Sequence, residues 1–421
     1  MVKTRVEKPE QAIVVGMIRP DQHRYQLNEY LDELELLADT AGAQVVERVV
    51  QEREKRDPAF MIGRGKAEEL AKMAKYLDAD LVIFDDDLSP AQLKNLEDLC
   101  KIKIVDRSGL ILDIFARNAR TREARTQVEL AQLKYMLPRL TRQWTHLSRQ
   151  AGGIGTRGPG ETQLEVDRRL VRKRIAMLED ELEKISRQRT NRRKNRGDVF
   201  KAALVGYTNV GKSTVMNALT HAGVTVEDRL FATLDSTIRK VDMSDHRAML
   251  LIDTVGFIRK LPHHLIASFK STLEEVKEAD LILHVVDVSD FHYEEHLKTV
   301  NNVLDELGVH DKPLLYVFNK IDVLDDRSVM DEMKSDYPES VFISAERGMF
   351  LNRLVDEMRE FIQEQVTELR VTVPINKTKV LSQMHELGNV VSIEYKDGQA
   401  IVDVRTNDAN AARIERMVES P

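Results

Sequence analysis

The 421-residue chain has one cysteine, Cys100. A single thiol excludes an internal disulfide, so packing and hydrogen bonding must hold the fold, and this usage suits a reducing cytoplasm. Cys100 reads as a small buried apolar residue, not as a nucleophile. The opening residues, Met1-Val2-Lys3-Thr4-Arg5-Val6-Glu7, lack the apolar core of a secretory signal. No apolar run approaches the roughly 20 residues that cross a bilayer. These shortages argue against a disulfide-stapled secreted scaffold and against a helical membrane protein. The length calls for more than one domain, and the composition is that of an ordinary globular protein.

The chain is acidic overall, but its positive charge is locally concentrated. The net charge is −7, yet residues 116–198 carry 21 Lys and Arg against 10 Asp and Glu, a surplus of 11 that leaves −18 elsewhere. A cationic segment in an acidic protein is the electrostatic footprint of a nucleic-acid contact, and RNA is favoured over a merely solvated helix face.

Four segments, in order, carry the chemistry. Gly206-Tyr207-Thr208-Asn209-Val210-Gly211-Lys212-Ser213 is a complete phosphate-binding loop. It follows an apolar strand, Ala202-Ala203-Leu204-Val205, and opens a helix, the setting that such a loop requires. Its glycines let backbone N–H groups face the phosphates, Lys212 reaches the β- and γ-phosphates, and Ser213 is a Mg²⁺ ligand. The strand Leu250-Leu251-Ile252 ends at Asp253-Thr254-Val255-Gly256, where Asp253 can hold Mg²⁺ and the Gly256 N–H can meet the γ-phosphate. The strand Leu314 to Phe318 delivers Asn319-Lys320-Ile321-Asp322. The Asp322 carboxylate matches the N1–H and N2–H₂ donors of guanine, and adenine would leave it desolvated and unpaired. Val341-Phe342-Ile343 carries Ser344-Ala345, whose backbone can meet guanine O6, with Glu346 next. Together the segments specify GTP and GDP.

Between the first two segments lies Phe231-Ala232-Thr233-Leu234-Asp235. A nucleotide switch needs a hydroxyl here that closes on Mg²⁺. Thr233 is preferred and Thr237 is the rival. The expected catalytic set is Lys212, Thr233 and Gly256. What this site lacks is a glutamine after Gly256: that position is Phe257, which cannot orient water. Slow intrinsic hydrolysis is therefore expected unless a partner, an ion or another loop completes the site. Asn209 suggests K⁺ as one such ion.

Around the GTPase region the expected fold class is α/β. Residues 1–115 alternate strands (12–16, 43–46, 81–84, 102–105) and helices (27–41, 67–76, 90–99), which predicts a small parallel domain. Gly63-Arg64-Gly65-Lys66 lacks the upstream glycine and following Ser/Thr of a second phosphate loop, so it reads as a turn before a helix. In residues 116–197, apolar seams at Leu130, Leu133, Leu137, Leu140, Trp144 and Leu147, and at Val171, Ile175, Leu178, Leu182 and Ile185, predict an antiparallel helical hairpin kinked at Pro138. Its tip holds Arg149, Gly152, Gly153, Gly155, Arg157, Gly158 and Gly160, the expected RNA contacts. The run Arg187 to Arg196 adds charge before the GTPase domain at 198–369. Residues 370–421 predict a small α+β domain with a strand at 371–375, a helix at 377–387 and a hairpin over 390–404.

The segment Gly152 to Glu165, followed by Phe231-Ala232-Thr233-Leu234-Asp235 and Asp253-Thr254-Val255-Gly256-Phe257, resembles the HflX family of translation-associated GTPases over essentially the whole chain. The glycine-rich segment is the specific part, and the length and charged, cysteine-poor composition look like proteobacterial members. The resemblance implies a cytoplasmic GTPase that binds the large ribosomal subunit and its rRNA, and a monomer is expected. Such a protein splits stalled or idle whole ribosomes under stress such as heat shock, with the hairpin near the peptidyl-transferase centre. It also raises ATP hydrolysis with RNA unwinding by the N-terminal half, for which no Walker motif is present there. A ribosome-assembly GTPase is the other alternative.

Overall fold

In the computed structural model, the described residues are all except 1–8, 21–23, 141–162, 194–198, 221–229, 235, 244–246, 261–274, 310, 325–327, 365–366, 376, 397, 407 and 420–421. Asp235 and the whole expected hairpin tip, Arg149 to Gly160, lie outside the described residues.

The chain is mixed α/β, and its described residues build three sheets. The first holds β1 (Glu10–Ile18), β2 (Ala43–Glu52), β3 (Leu81–Phe84) and β4 (Lys103–Asp106) in the order β2-β1-β3-β4, all parallel. The central strands β1 and β3 are almost wholly buried, which is why they read as continuous apolar runs. Local signals start the helices that cover them. Ser89 and Gln92 form a capping box with Pro90 at the first turn of helix Pro90–Cys100. Asp106 caps helix Arg107–Asn118 by accepting from the Gly109 N–H. That helix is absent from the sequence reading and extends past residue 115. Its residues are buried nearly all round, so they carry no clean amphipathic stripe.

Because the chain turns outward from β1 to β2 and then returns to β3, the order reverses between β1 and β3. In such sheets a crevice opens at the carboxyl ends of the strands on either side of the reversal. Here β3 runs directly into Asp85-Asp86-Asp87.

Helix Arg122–Met136 and helix Gln163–Arg193 then lie antiparallel, the latter roughly 47 Å long at 1.5 Å per residue. Val128, Leu130, Ala131, Val166, Val171 and Leu178 are buried among the two arms and their surroundings. Glu129 accepts a two-pronged pair from Arg174 (2.7 and 2.8 Å), and Arg122 donates to Glu181. The α-helix runs to Met136 and passes into a 3₁₀ turn, Leu137–Arg139, where Pro138 brings no N–H to the helical ladder. Trp144 and Leu147 lie outside the described residues.

The second sheet contains β5 (Phe200–Val205), β6 (Thr237–Met243), β7 (Arg247–Asp253), β8 (Leu281–Asp287), β9 (Leu314–Asn319) and β10 (Ser340–Phe342), in the order β10-β9-β8-β5-β7-β6. All neighbours are parallel except β6 with β7. The third is antiparallel, β11 (Thr367–Pro374), β13 (Gln399–Thr406) and β12 (Asn389–Lys396), backed by helices Thr378–Leu387 and Asp408–Glu419. The last helix is also absent from the sequence reading. One continuous apolar core runs from the first sheet into the second, and Phe115 meets Phe231 edge-to-face at 4.7 Å along it.

Candidate nucleotide site

The second sheet delivers all four nucleotide segments to one edge. Residues 206–211 follow β5, Asp253 ends β7, Asn319 ends β9, and Ser344 follows β10. Helix Lys212–Thr220 begins on the loop lysine, so the helix N-terminus and the loop N–H groups share one concavity.

Two glycines are required by close approach. A Cβ on Gly206 would lie 2.3 Å from the Val285 carbonyl oxygen. Gly211 has φ +93°, and a Cβ there would lie 2.4 Å from Asn319 Nδ2. Asn319 is the brace of the site. Its amide donates to the Val210 carbonyl (2.9 Å), and its side-chain oxygen accepts from the Ala345 N–H (2.9 Å). Asn319 therefore ties the phosphate loop to the Ser344-Ala345 turn. Asn209 sits at φ +62° and is exposed. Ser344 is buried, its hydroxyl accepts from the Arg347 N–H, and Glu346 is exposed.

Lys212 is only 7% exposed. Its ammonium donates to the Gly206 and Tyr207 carbonyls at 3.1 and 2.6 Å. Burial lowers its pKa to about 8, opposed by Asp253. Burial likewise pushes the Asp253 carboxyl up, opposed by Lys212. Ser213 Oγ donates to Asp253 (2.7 Å) and lies 2.9 Å from Thr233 Oγ1. The three residues expected around a metal are thus in one cluster. Asp253 Oδ1 and Thr208 Oγ1 are buried here without a hydrogen-bond partner. One carboxylate with two hydroxyls suits a hard cation that keeps oxygen ligands, such as Mg²⁺. The rival Thr237 instead begins β6 and pairs with Asp253 in the strand ladder.

At the base end, Lys320 adopts φ +67° and its ammonium meets Asp287 at 2.6 Å. Ile321 is buried, and Asp322 lies 3.7 Å from the Arg347 guanidinium. Thr254 is buried and donates to the Leu204 carbonyl. Val255, Leu234 and Phe231 are apolar supports, while Ala232 is exposed. Phe257 is buried too. Its N–H donates to the Gly206 carbonyl (3.1 Å), and its own carbonyl accepts from the Thr208 N–H (2.7 Å). The residue in the usual glutamine position is a structural clip between the two segments.

The comparisons with known proteins now decide the family. Residues 28–116 match a family model described as "GTP-binding GTPase N-terminal", residues 118–196 one described as "GTP-binding GTPase Middle Region", and residues 201–320 one described as "50S ribosome-binding GTPase". The GTPase HflX of Flavobacterium psychrophilum is 47% identical over 390 residues, covering 87% of this chain and 93% of that protein. The chain belongs to the HflX family of GTPases. The HflX of Escherichia coli is 43% identical over 406 residues, 95% of this chain and 94% of its own. A solved structure of a GTP-binding protein from Sulfolobus solfataricus with GDP aligns at 25% identity and a TM-score of 0.44, covering 84% of this chain and 99% of that one. As an HflX GTPase, this chain binds guanine nucleotide and hydrolyses GTP.

Sequence reasoning missed several residues beside the site. Asp287 holds Lys320, and Arg347 faces Asp322. His284, in β8, is fully buried behind Lys212, and burial, then the lysine charge, lowers its pKa to about 3. None lies inside a recognisable motif, and only the polar residues ending the apolar β8 run gave a signal.

Proposed function

We propose that this GTPase binds the large ribosomal subunit through its rRNA and separates stalled or idle ribosomes under stress such as heat shock. The observation that carries the reading is the cationic helix pair over residues 122–193 joined to a nucleotide site, in a family one of whose models is described as ribosome-binding. Among the described residues, no helix is long and apolar enough to cross a membrane. A cytoplasmic monomer that moves between free and ribosome-bound forms fits this work. The division at 115, 197 and 369 gives it an N-terminal domain, an RNA-reaching arm, a motor and a C-terminal appendage. The arm's end, with Arg149, Arg157 and Gly152, Gly153, Gly155, Gly158 and Gly160, is the proposed seat in rRNA.

In the nucleotide site, Lys212 and the 206–211 amides bind the phosphates. Asp322 and the Ser344-Ala345 backbone select guanine, and Lys320 and Asn319 hold that half of the site. Ser213, Thr233 and Asp253 would hold Mg²⁺, which supplies charge neutralisation to the phosphates. Gly256 offers its N–H to the terminal phosphate. Phe257, clipped and apolar, leaves water orientation to something else, and K⁺ near Asn209 or the ribosome is the proposed supplement. An ATPase in the N-terminal half has no motif behind it. Turnover of ATP that survived Lys212→Ala would be required to support it. Sedimentation with purified large subunits and whole ribosomes, with GTP, GDP or a non-hydrolysable analogue, tests the reading. Co-migration with large subunits and loss of whole ribosomes support it. Binding only to incomplete particles would assign the protein to assembly.

A further inference from the structure

The segment after Gly256 does not end at the nucleotide. Arg259 and Lys260, three and four residues on, enter the crevice at the carboxyl ends of β1 and β3 in the first sheet. Asp85, 1% exposed, accepts from Arg259 (2.7 Å) and from Lys260 (2.7 Å), and also from Arg107 of its own domain (2.9 Å). Asp86 accepts a further bond from Lys260 (2.9 Å) and one from Arg56 (2.9 Å). Glu33 pairs with Arg107 and lies 3.4 Å from Arg259. The Arg259 guanidinium also stacks on the Tyr30 ring at 3.7 Å and donates to the Tyr30 carbonyl. Glu33, Asp85 and Asp86 face Arg56, Arg107, Arg259 and Lys260, so the second sheet's segment supplies two of the four cations that balance this cluster.

The same junction reaches the phosphate loop. The Tyr207 hydroxyl donates to Glu33 (2.5 Å) and accepts from the Arg259 N–H (2.9 Å), while its ring stacks on His296 at 3.8 Å. Gly256 lies directly on that loop, where a Cβ would fall 2.8 Å from Thr208 Cγ2 and 3.1 Å from Lys212 Nζ. A terminal phosphate must come to the same ammonium. Lys260 is held at φ +53°, a conformation that non-glycine residues keep only when their surroundings fix it.

We propose that Arg259 and Lys260 are positioning residues of the GTPase reaction. Docked in the acidic crevice of the N-terminal sheet, they hold Gly256 against Lys212. Undocked, they release that position to the terminal phosphate. The proposal rests on the reading of residues 206–213 and 253–256 as the phosphate site. It makes the N-terminal domain a part of nucleotide discrimination: GDP, which has no terminal phosphate, binds with the segment docked, and GTP binds against it.

The experiment measures dissociation constants of the full chain for GDP and for an imido-bridged GTP analogue. The variants are Arg259→Gln, Lys260→Gln, Lys260→Glu and Lys260→Arg, each checked for a cooperative thermal transition. Lys260 is 40% exposed, so its variants remain informative if Arg259→Gln does not fold. The expected result is a GDP affinity within twofold of the parent. Affinity for the analogue relative to GDP rises at least fivefold in Lys260→Gln and Arg259→Gln, rises further in Lys260→Glu, and returns to within twofold in Lys260→Arg. A side chain that only stabilised the fold would weaken both nucleotides together. An unchanged or falling ratio in folded variants overturns the proposal. Failure of the parent to bind GDP would instead overturn the phosphate-site reading, and the proposal with it.

Discussion

At the scale of single residues, Lys212 joins structure to nucleotide chemistry. Its ammonium is buried against two carbonyls and has a third N–H for phosphate. Lys212→Ala is expected to abolish GTP binding and turnover while the first sheet stays folded, as read by nucleotide titration and circular dichroism. Because its pKa is lowered to about 8, the ammonium is charged below that pH and neutral above it. A phosphate complex favours the charged form. Nucleotide affinity should therefore hold steady up to pH about 8, then fall by up to about tenfold per pH unit, with proton uptake on binding. Calorimetry in two buffers of different ionisation enthalpy checks this, and a flat profile to pH 9.5 would contradict it. Asp322→Asn should reduce guanine-over-adenine discrimination by more than tenfold, or about 1.4 kcal/mol. Competition titration with ATP measures it.

His284 shows what residue reading could not supply. It sits in the middle of an apolar strand run, and its pKa is depressed first by burial and then by the charge of Lys212, a neighbour 72 positions earlier in the chain. The group is neutral in the fold and protonates more readily in the unfolded chain. Its contribution is present above pH 6.5 and is lost as pH falls towards 3, at about 1.4 kcal/mol per unit. A His284→Gln variant should lose less stability between pH 6.5 and 4.5 than the parent in denaturant titrations.

At the scale of elements, the motifs were legible because each is contiguous and sits on its own strand end. Strand-to-loop register follows from the buried runs Ala202–Val205 and Leu314–Phe318, which have one satisfactory depth in a parallel sheet. The brace between elements was not legible. Gly211 and Asn319 are more than one hundred positions apart, and neither motif states that the glycine exists partly to admit the asparagine amide. Gly211→Ala should displace Asn319, loosen Ala345 and weaken guanine nucleotide binding more than tenfold by fluorescence titration, although the substitution lies at the phosphate end. In the helix pair the exposed Glu129–Arg174 pair is worth little, and Glu129→Ala should cost under about 1 kcal/mol. Pro138, which predicts a kink, lies where the α-helix passes into a 3₁₀ turn, and the rest of the expected first arm lies outside the described residues.

At the scale of the molecule, charge and periodicity predict four regions. They could not show that the first sheet and the GTPase sheet share a core, nor that Asp85 meets Arg259 across 174 positions. Such contacts belong to the folded surface and have no local pattern. The arm is the opposite case: its charge surplus is plain in composition, and the proposed ribosome contact is expected to weaken steeply with salt, linearly in log–log plots, through counterion release. A reduced slope is expected when Arg149 and Arg157 are changed to Glu, with nucleotide affinity of the isolated protein unchanged within about twofold.

The central claim, that this GTPase acts on ribosomes through its arm, is tested most directly by gradient sedimentation of whole ribosomes. The samples are the full chain with GTP and a chain lacking residues 152–160. The account predicts that the full chain converts whole ribosomes to subunits and migrates with the large one, while the shortened chain binds GTP normally and leaves ribosomes intact. Equal splitting by both chains would place the work outside the tip, and intact ribosomes with no co-migrating full chain would contradict the claim itself.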